Sequence, residues 1–129
     1  MNEPKKVLLA EDDRFLRRAC TAALSKRGFI VLLAEDGEQA LDLARRGRPD
    51  LILLDLLMPK MSGIEVMCAL RLDEATRCIP VVILSNSSLE LEMNDARALG
   101  AVDYLVKANF SLRAVGERVA ELLGGMKNA

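Results

Sequence analysis

The chain contains no histidine and no tryptophan, and aromatic residues make up only 3% of its 129 residues. Without histidine, a histidine base or a phosphohistidine on this chain is excluded, and a zinc site would need unusual ligands. The scarcity of aromatic residues also argues against a surface that stacks nucleic-acid bases. The cysteines are odd in number and lack CxxC spacing, so we expect all three to be buried, reduced thiols: Cys20, Cys68 and Cys78.

Neither a charge excess nor a long hydrophobic run is present. Eighteen basic residues against 19 acidic ones give a net charge of −1, which argues against nucleic acid as the main partner. The apolar runs are far shorter than the roughly 18 residues that cross a bilayer, and the N-terminus does not have the pattern of a signal peptide. We therefore expect a soluble, cytoplasmic protein without a membrane partner, forming a single domain over residues 1–129 with a core of about 5–124 and no output domain.

Short apolar runs alternate with amphipathic stretches along the whole chain. The runs mostly lack polar alternation, which is typical of parallel strands that are covered on both faces. The stretches between them have helical periodicity, so the chain is predicted to be an α/β protein with a (βα)5 order. The predicted strands are Val7–Ala10, Phe29–Ala34, Leu51–Leu54, Val81–Leu84 and Val102–Val106.

Capping signals mark the ends of the predicted helices. The first helix is expected to begin after Asp13, and its inward stripe is Leu16, Ala19, Cys20, Ala23 and Leu24. The third helix is expected to bury a stripe that includes Ile64, Met67, Cys68 and Leu72. Three capping boxes are predicted, and three glycines stand where helices would end: Asp36…Gln39, Ser62…Glu65 and Ser87…Glu90, then Gly28, Gly47 and Gly100.

Four of the five predicted strands end in a polar or charged residue. Glu11 and Asp12 follow the first strand, Asp55 the third, Ser85 the fourth and Lys107 the fifth. The carboxyl ends of parallel strands meet at one edge of a sheet, where open α/β folds place their chemistry. Three carboxylates against one lysine would repel one another, and Mg²⁺ would neutralise them with oxygen ligands. The alternative is that these side chains are solvated strand ends.

The residues at these positions resemble a response-regulator receiver domain, of the single-domain type typified by the chemotaxis regulator. The resemblance covers essentially the whole chain and includes the Asp-x-x-Met-Pro-x-Met-x-Gly motif from Asp55 to Gly63. It implies a flavodoxin-like three-layer sandwich with a parallel sheet in the order 2-1-3-4-5. It also implies a phosphoacceptor switch of a two-component or phosphorelay system, which is not an enzyme beyond its own phosphorylation and slow autodephosphorylation.

The same resemblance implies a role for each residue at the edge of the sheet. Asp55 would accept a phosphoryl group from a histidine kinase or a histidine phosphotransfer domain, with Lys107 and Ser85 contacting the phosphoryl oxygens. Ser85 and Tyr104 would form the switch pair, which reshapes the surface of the fourth helix, fifth strand and fifth helix. The ligands of Mg²⁺ would be Glu11, Asp12, Asp55 and the backbone carbonyl of Leu57.

The sequence constrains the binding partners and the lifetime of the phosphorylated state less tightly. Phe15, Ala19 and Ala22 form a small apolar strip that we expect to meet the kinase, although Phe15 is as readily interpreted as an incidental exposed residue. The downstream protein is not identified by the sequence, and a homodimer is left open. Leu57 and Ser87 would lie beside the path of the water that hydrolyses the aspartyl phosphate. Because leucine offers no hydrogen bond to orient this water, we expect a long-lived phosphorylated state.

The chain departs from the family pattern beside the lysine, where Ala108 replaces the usual proline. We expect a trans peptide there, because a cis bond before a residue other than proline costs about 2.5–4 kcal/mol. Asn86 follows Ser85 where a small residue is common, which would narrow access to Asp55. The alternative functions are a phosphorylation-independent adaptor of the same fold and a Mg²⁺-dependent phosphohydrolase. Against the phosphohydrolase, the chain has Leu57 where such an enzyme needs a general acid, and it has no room for a cap domain.

Overall fold

The fold is an alternation of five strands and five helices, seen here in a computed structural model that describes residues 3–86 and 90–127. The predicted (βα)5 order is confirmed, with strand ends within two residues of their predicted positions. A short 3₁₀ turn over Lys107–Asn109 follows the last strand. The elements are β1 (Lys6–Ala10), α1 (Arg14–Lys26), β2 (Ile30–Ala34), α2 (Gly37–Gly47), β3 (Leu51–Leu54), α3 (Gly63–Leu72), β4 (Val81–Ser85), α4 (Glu90–Ala98), β5 (Asp103–Val106) and α5 (Leu112–Lys127).

The five strands form one parallel sheet in the order β2-β1-β3-β4-β5, as the resemblance implied. Ala10 at the end of β1 pairs with Leu54 at the end of β3, and Ser85 pairs with Val106 across β4 and β5. The register therefore brings the carboxyl ends of all five strands to one edge, where the polar residues predicted from the sequence follow.

A hydrophobic core lies on each face of the sheet. Residues of β3 alternate between the two cores, with Ile52 and Leu54 on one face and Leu51 and Leu53 on the other, and all four are completely buried. This double burial explains why the strands read as continuous apolar runs. Within the described ranges, no helix has both the length and the apolar character needed to cross a membrane.

The predicted inward stripe of α3 is confirmed at Met67, which is buried, and at Ile64, which packs against the core, but it is wrong at Cys68 and Leu72. The residues that α3 buries are Gly63, Val66, Met67 and Leu70, whereas Leu72 is 88% exposed. This helix has apolar residues around most of its circumference, so periodicity alone did not fix its orientation.

The prediction that all three cysteines are buried is also wrong. Cys20 is buried in α1, but Cys68 and Cys78 are exposed, and all three thiols are free. Cys68 lies on the outer face of α3 because the helix is rotated relative to the predicted stripe, and Cys78 lies in the segment before β4.

The helix ends confirm some of the capping signals and correct others. Ser62 and Glu65 form the complete capping box, and Gly28 and Gly100 have positive φ angles of 89° and 88°. Asp36 caps α2, but the side chain of Gln39 accepts from the backbone of Glu35, so that box is incomplete. The box predicted at Ser87 lies outside the described residues.

Gly47 does not end α2 in the predicted way. It is the last residue of the helix, and Arg48 takes the left-handed conformation with φ of 47°. A Cβ at Gly47 would lie 2.6 Å from Cδ1 of Leu32, so the glycine permits α2 to pack closely against β2. Packing, rather than a left-handed turn, accounts for this glycine.

Candidate functional site

Glu11 is the first polar residue after β1, and its side chain is completely buried. One carboxylate oxygen, Oε2, accepts a hydrogen bond from the backbone of Asp13 at 3.1 Å. The other, Oε1, lies 2.6 Å from Nζ of Lys107. Asp12 is exposed beside it, and Asp13 caps α1 as predicted by accepting from the backbone of Leu16.

Asp55 directly follows β3 and is 5% exposed. Its backbone N–H donates to the carbonyl of Ala10, which ties it to β1, and its Oδ1 accepts from the backbone N–H of Leu57 at 3.2 Å. Gly63 packs against this segment so closely that a Cβ there would lie 2.5 Å from the carbonyl oxygen of Asp55. The absence of a side chain at Gly63 therefore lets α3 begin directly against the backbone of Asp55.

Lys107 connects the two buried carboxylates. Its Nζ lies 3.2 Å from Oδ2 of Asp55 and 2.6 Å from Oε1 of Glu11, and its side chain is 13% exposed. The peptide bond between Lys107 and Ala108 is trans, as predicted. These contacts exclude the alternative that Lys107 is a solvated strand end.

Burial and mutual charge shift the pKa values of two of these groups. Burial raises the pKa of Glu11, and the neighbouring Asp55 carboxylate acts in the same direction, while the ammonium of Lys107 opposes both. Burial tends to lower the pKa of Lys107, but the two carboxylates outweigh it and the net pKa is raised. The lysine therefore remains a cation at neutral pH.

The donor set of the edge suits a divalent cation. Carboxylate oxygens of Glu11, Asp12 and Asp55 lie within 4.8 Å of one another. Their formal charge of −3 exceeds the +1 of Lys107, and oxygen ligands of this kind are those that Mg²⁺ takes in proteins. The residues present therefore fit a magnesium ion.

Ser85 and Tyr104 lie on neighbouring strands. Ser85 ends β4 and is completely buried, and Tyr104 pairs with Ile83, two residues earlier in β4. Because side chains repeat with a period of two along a strand, Ser85 and Tyr104 belong to the same face of the sheet. Tyr104 is partly buried and packs against the core of that face.

Of the residues expected to face partners and solvent, Phe15, Ala22 and Leu57 are exposed, and Ala19 is half-buried. Phe15 is 88% exposed, and with Ala19, Asn86, Lys107 and Ala108 it borders an open cavity of about 500 Å³. Ala22 borders a second groove, between α1 and α5. The Leu57 side chain is 67% exposed, and Ser87 lies outside the described residues.

A contact between Lys60 and Asp36 is present that was not predicted from the sequence. Lys60 has a positive φ of 69°, and its Nζ lies 3.5 Å from Oδ2 of Asp36 at the start of α2. The backbone N–H of Gly37 donates to the carbonyl of Pro59 at 3.4 Å, and a Cβ at Gly37 would overlap Met61. These contacts hold the loop after Asp55 against the start of α2. The positive φ of Lys60 and the close packing at Gly37 are seen only in the backbone, so the sequence alone does not indicate the contact.

A parallel 2-1-3-4-5 sheet with a buried aspartate, an acidic pair and a lysine at its carboxyl edge defines a receiver-type signalling domain. The chain belongs to the response regulator receiver domain family, whose model matches residues 7–119. It is thus a receiver domain of two-component response regulators. Domains of this family are signalling domains rather than classical enzymes, generally bind Mg²⁺ at an acidic pocket, and interact with histidine kinases or phosphotransfer proteins.

Individual relatives support this membership. The chain is 42% identical over 118 residues to the transcriptional regulatory protein CpxR of Escherichia coli K12, covering 92% of this chain and 49% of that protein. It is 37% identical over 120 residues to the response regulator MprA of Mycobacterium sp. strain KMS, covering 93% and 51%. The chain spans about half the length of these relatives.

Two solved structures resemble more than nine-tenths of the chain. The chemotaxis protein CheY4 of Vibrio cholerae has a TM-score of 0.85 at 28% identity, covering 92% of this chain and 98% of that one. The receiver domain of the Francisella response regulator 1452 has the same TM-score at 30% identity, covering 95% and 98%.

Proposed function

We propose that the domain is a phosphoacceptor switch, in which Asp55 takes a phosphoryl group from the phosphohistidine of a histidine kinase or a histidine phosphotransfer domain. The observation that carries the proposal is the contact between Nζ of Lys107 and the buried carboxylate of Asp55 at 3.2 Å, inside an acidic cluster. A carboxylate oxygen of Asp55 attacks phosphorus, a new O–P bond forms and the P–N bond breaks. The imidazole nitrogen leaves with the electron pair and takes up a proton.

Mg²⁺, when bound, would neutralise negative charge on the transferring phosphoryl oxygens. The proposed ligands are the carboxylates of Glu11, Asp12 and Asp55 and the backbone carbonyl of Leu57. Lys107 would exchange its contact with Asp55 for one with a phosphoryl oxygen, and its raised pKa keeps it charged for that role. Ser85, buried at the end of the adjacent strand, would donate its hydroxyl to another phosphoryl oxygen.

The proposed output is a change at Ser85 and Tyr104. If the hydroxyl of Ser85 moves toward the phosphoryl group, space opens on the face of the sheet that it shares with Tyr104, and the ring turns inward. The surface of α4, β5 and α5 would then present a different shape to a downstream protein or to a second copy of the chain.

The free, exposed thiols of Cys68 and Cys78 are consistent with a cytoplasmic location.

The strip of Phe15, Ala19 and Ala22 is the proposed contact for the phosphodonor protein. It supports this role that Phe15 is almost fully exposed and borders the same cavity as Lys107. A Phe15→Ser variant should be phosphorylated more slowly by a partner kinase, while labelling by acetyl phosphate stays normal. Equal rates from the kinase would move the docking surface elsewhere.

The decisive experiment is labelling with acetyl phosphate and Mg²⁺. We expect one acid-stable, base-labile phosphate per chain in the wild type and none in Asp55→Asn, with Asp42→Asn, an exposed α2 residue, as the matched control. Normal labelling of Asp55→Asn would overturn the site assignment. Turnover of many phosphoesters would support a phosphohydrolase instead, and a folded wild type that takes up no phosphate would support the adaptor.

A further inference from the structure

The guanidinium of Arg17 contacts the backbone of the loop that carries two of the proposed metal ligands, Glu11 and Asp12. Its Nη1 donates to the carbonyl oxygen of Glu11 at 2.9 Å and to that of Asp12 at 3.3 Å. Its Nη2 donates to Oε1 of Glu35 at 3.3 Å, just after the end of β2. The side chain of Arg17 is only 13% exposed, whereas that of Glu35 is 63% exposed, so the guanidinium is buried on the side of the Glu11 carbonyl and open to water on the side of Glu35.

The rest of this segment is also fixed by hydrogen bonds. The backbone N–H of Glu11 donates to the carbonyl of Ala34 at 3.1 Å, so the main chain of Glu11 is held on both its donor and its acceptor side. The carbonyl of Arg17 itself accepts from the Thr21 hydroxyl at 2.7 Å. A rotation of the peptide units after Glu11 or Asp12 would break the bonds to Arg17 and redirect both carboxylates.

We propose that Arg17 is a positioning residue for the metal: it holds the carbonyls of Glu11 and Asp12 so that their carboxylates converge with that of Asp55. The inference rests on the proposed function and extends it to a residue that contacts neither the phosphoryl group nor the ion. Arginine suits the task because one planar, always charged group serves three acceptors, which the single ammonium of lysine cannot do in the same geometry.

The charge of Arg17 is an alternative explanation that the variants separate. Arg18 is the next residue of α1, is exposed and carries the same charge, so Arg18→Met is the matched control. Arg17→Lys keeps the positive charge but loses the planar guanidinium that reaches all three acceptors. Glu35→Gln leaves Arg17 in place and removes only its anchor.

The first measurement is Mg²⁺ affinity by isothermal titration calorimetry with MgCl2, alongside thermal unfolding in EDTA. We expect the Kd for Mg²⁺ to rise about tenfold in Arg17→Met, because loss of groups that orient metal ligands typically costs 10- to 100-fold in affinity. Arg17→Lys should lose most of the same affinity. Glu35→Gln should raise the Kd about two- to threefold, and Arg18→Met should leave it within twofold.

The second measurement is the rate of acetyl phosphate labelling as a function of Mg²⁺ concentration. A residue that acts only through the metal ligands should shift the curve to higher Mg²⁺ and leave its plateau unchanged. Wild-type Mg²⁺ affinity with a lowered unfolding temperature would overturn the proposal in favour of a purely structural role. A lowered plateau at saturating Mg²⁺ would overturn it in favour of a direct effect on Asp55.

The outcomes also separate this proposal from the proposed function. If the wild type binds Mg²⁺, the Arg17 variants bind it weakly, and no phosphate is incorporated, the positioning role stands and the phosphoacceptor role fails. If the wild type binds no Mg²⁺, both fail. Should Arg17→Met not fold, Arg17→Lys and Glu35→Gln carry the same comparison.

Discussion

At the scale of single residues, the carboxyl edge of the sheet is a problem of charge. Glu11 and Asp55 are buried within reach of each other, and Lys107 is the cation that contacts both. Any reaction that adds negative charge at Asp55 must change this pairing, which is why a divalent cation and a lysine suit the same place. The chemistry of the site therefore follows from compensating three carboxylates at a buried edge.

Leu57 is predicted to prolong the phosphorylated state. Its side chain is 67% exposed two residues after Asp55 and offers no hydrogen bond to orient the hydrolytic water. One such bond is worth on the order of 1–2 kcal/mol, or roughly 5- to 30-fold in rate. Leu57→Asn should therefore lose its phosphate faster than wild type at the same Mg²⁺ concentration. Equal or slower loss would show that another group positions the water.

Cys20 is predicted to make the free energy of unfolding depend on pH in the alkaline range. Burial, followed by the nearby Glu11, raises the pKa of its thiol from 9.0 to about 11. The folded state thus favours the protonated thiol, and this contribution is present below pH 9 and is lost as the pH rises toward 11. The free energy by which wild type exceeds Cys20→Ala in denaturant unfolding should shrink between pH 8.5 and pH 10.5. A constant difference would contradict the shift.

The sequence predicted where Asp55 and Lys107 lie, but not which residues hold the loops around them. Asp55 and Lys107 could be placed because each follows an apolar strand whose direction is fixed by the parallel sheet. Arg17 and Lys60 could not, since an arginine beside an amphipathic stripe and a lysine in a loop are ordinary surface residues until the backbone shows which carbonyls and carboxylates lie beside them.

At the scale of elements, the start of α3 packs directly against the backbone of Asp55 and Leu56. Ser62 caps this helix through a complete box, and Gly63 donates its N–H to the carbonyl of Leu56 at 2.9 Å. The helix can begin so near the end of β3 because no side chain separates them. The capping box was readable from the sequence, whereas the rotation of α3 was not, because Ile64, Val66, Met67 and Leu70 offer two nearly equivalent apolar faces.

Gly63→Ala and Gly124→Ala are predicted to have opposite effects on stability. A Cβ at Gly63 would meet the Asp55 carbonyl at 2.5 Å and Leu56 Cα at 2.7 Å, so the backbone must shift at a cost of about 1–3 kcal/mol. A Cβ at Gly124 meets nothing within 4 Å, and alanine there should stabilise α5 by roughly 0.5–1 kcal/mol. Denaturant unfolding of both variants measures this, and a neutral Gly63→Ala would contradict the packing.

At the scale of the whole molecule, the fold brings acidic residues together at the carboxyl edge of the sheet, where they contribute nothing to the packing of the core. The two hydrophobic cores lie on either face of the sheet, and the acidic residues at its edge add repulsion rather than packing. Stability and ligand binding are therefore opposed at this edge, as is common where a site is built for function. Ions that compensate the carboxylates should stabilise the entire domain, because their binding is coupled to global unfolding.

Mg²⁺ is accordingly predicted to raise the unfolding temperature of the wild type. At a concentration a hundredfold above its measured Kd, binding to the native state alone contributes about 2.7 kcal/mol, which corresponds to roughly 5–15 °C for a domain of this size. Asp12→Asn removes one proposed ligand at an exposed position and should abolish most of the increase, while Glu74→Gln, which removes an exposed carboxylate after α3, should retain it. Differential scanning calorimetry with and without MgCl2 gives both values. An equal increase in Asp12→Asn and Glu74→Gln would mean that the stabilising ion binds away from the carboxyl edge.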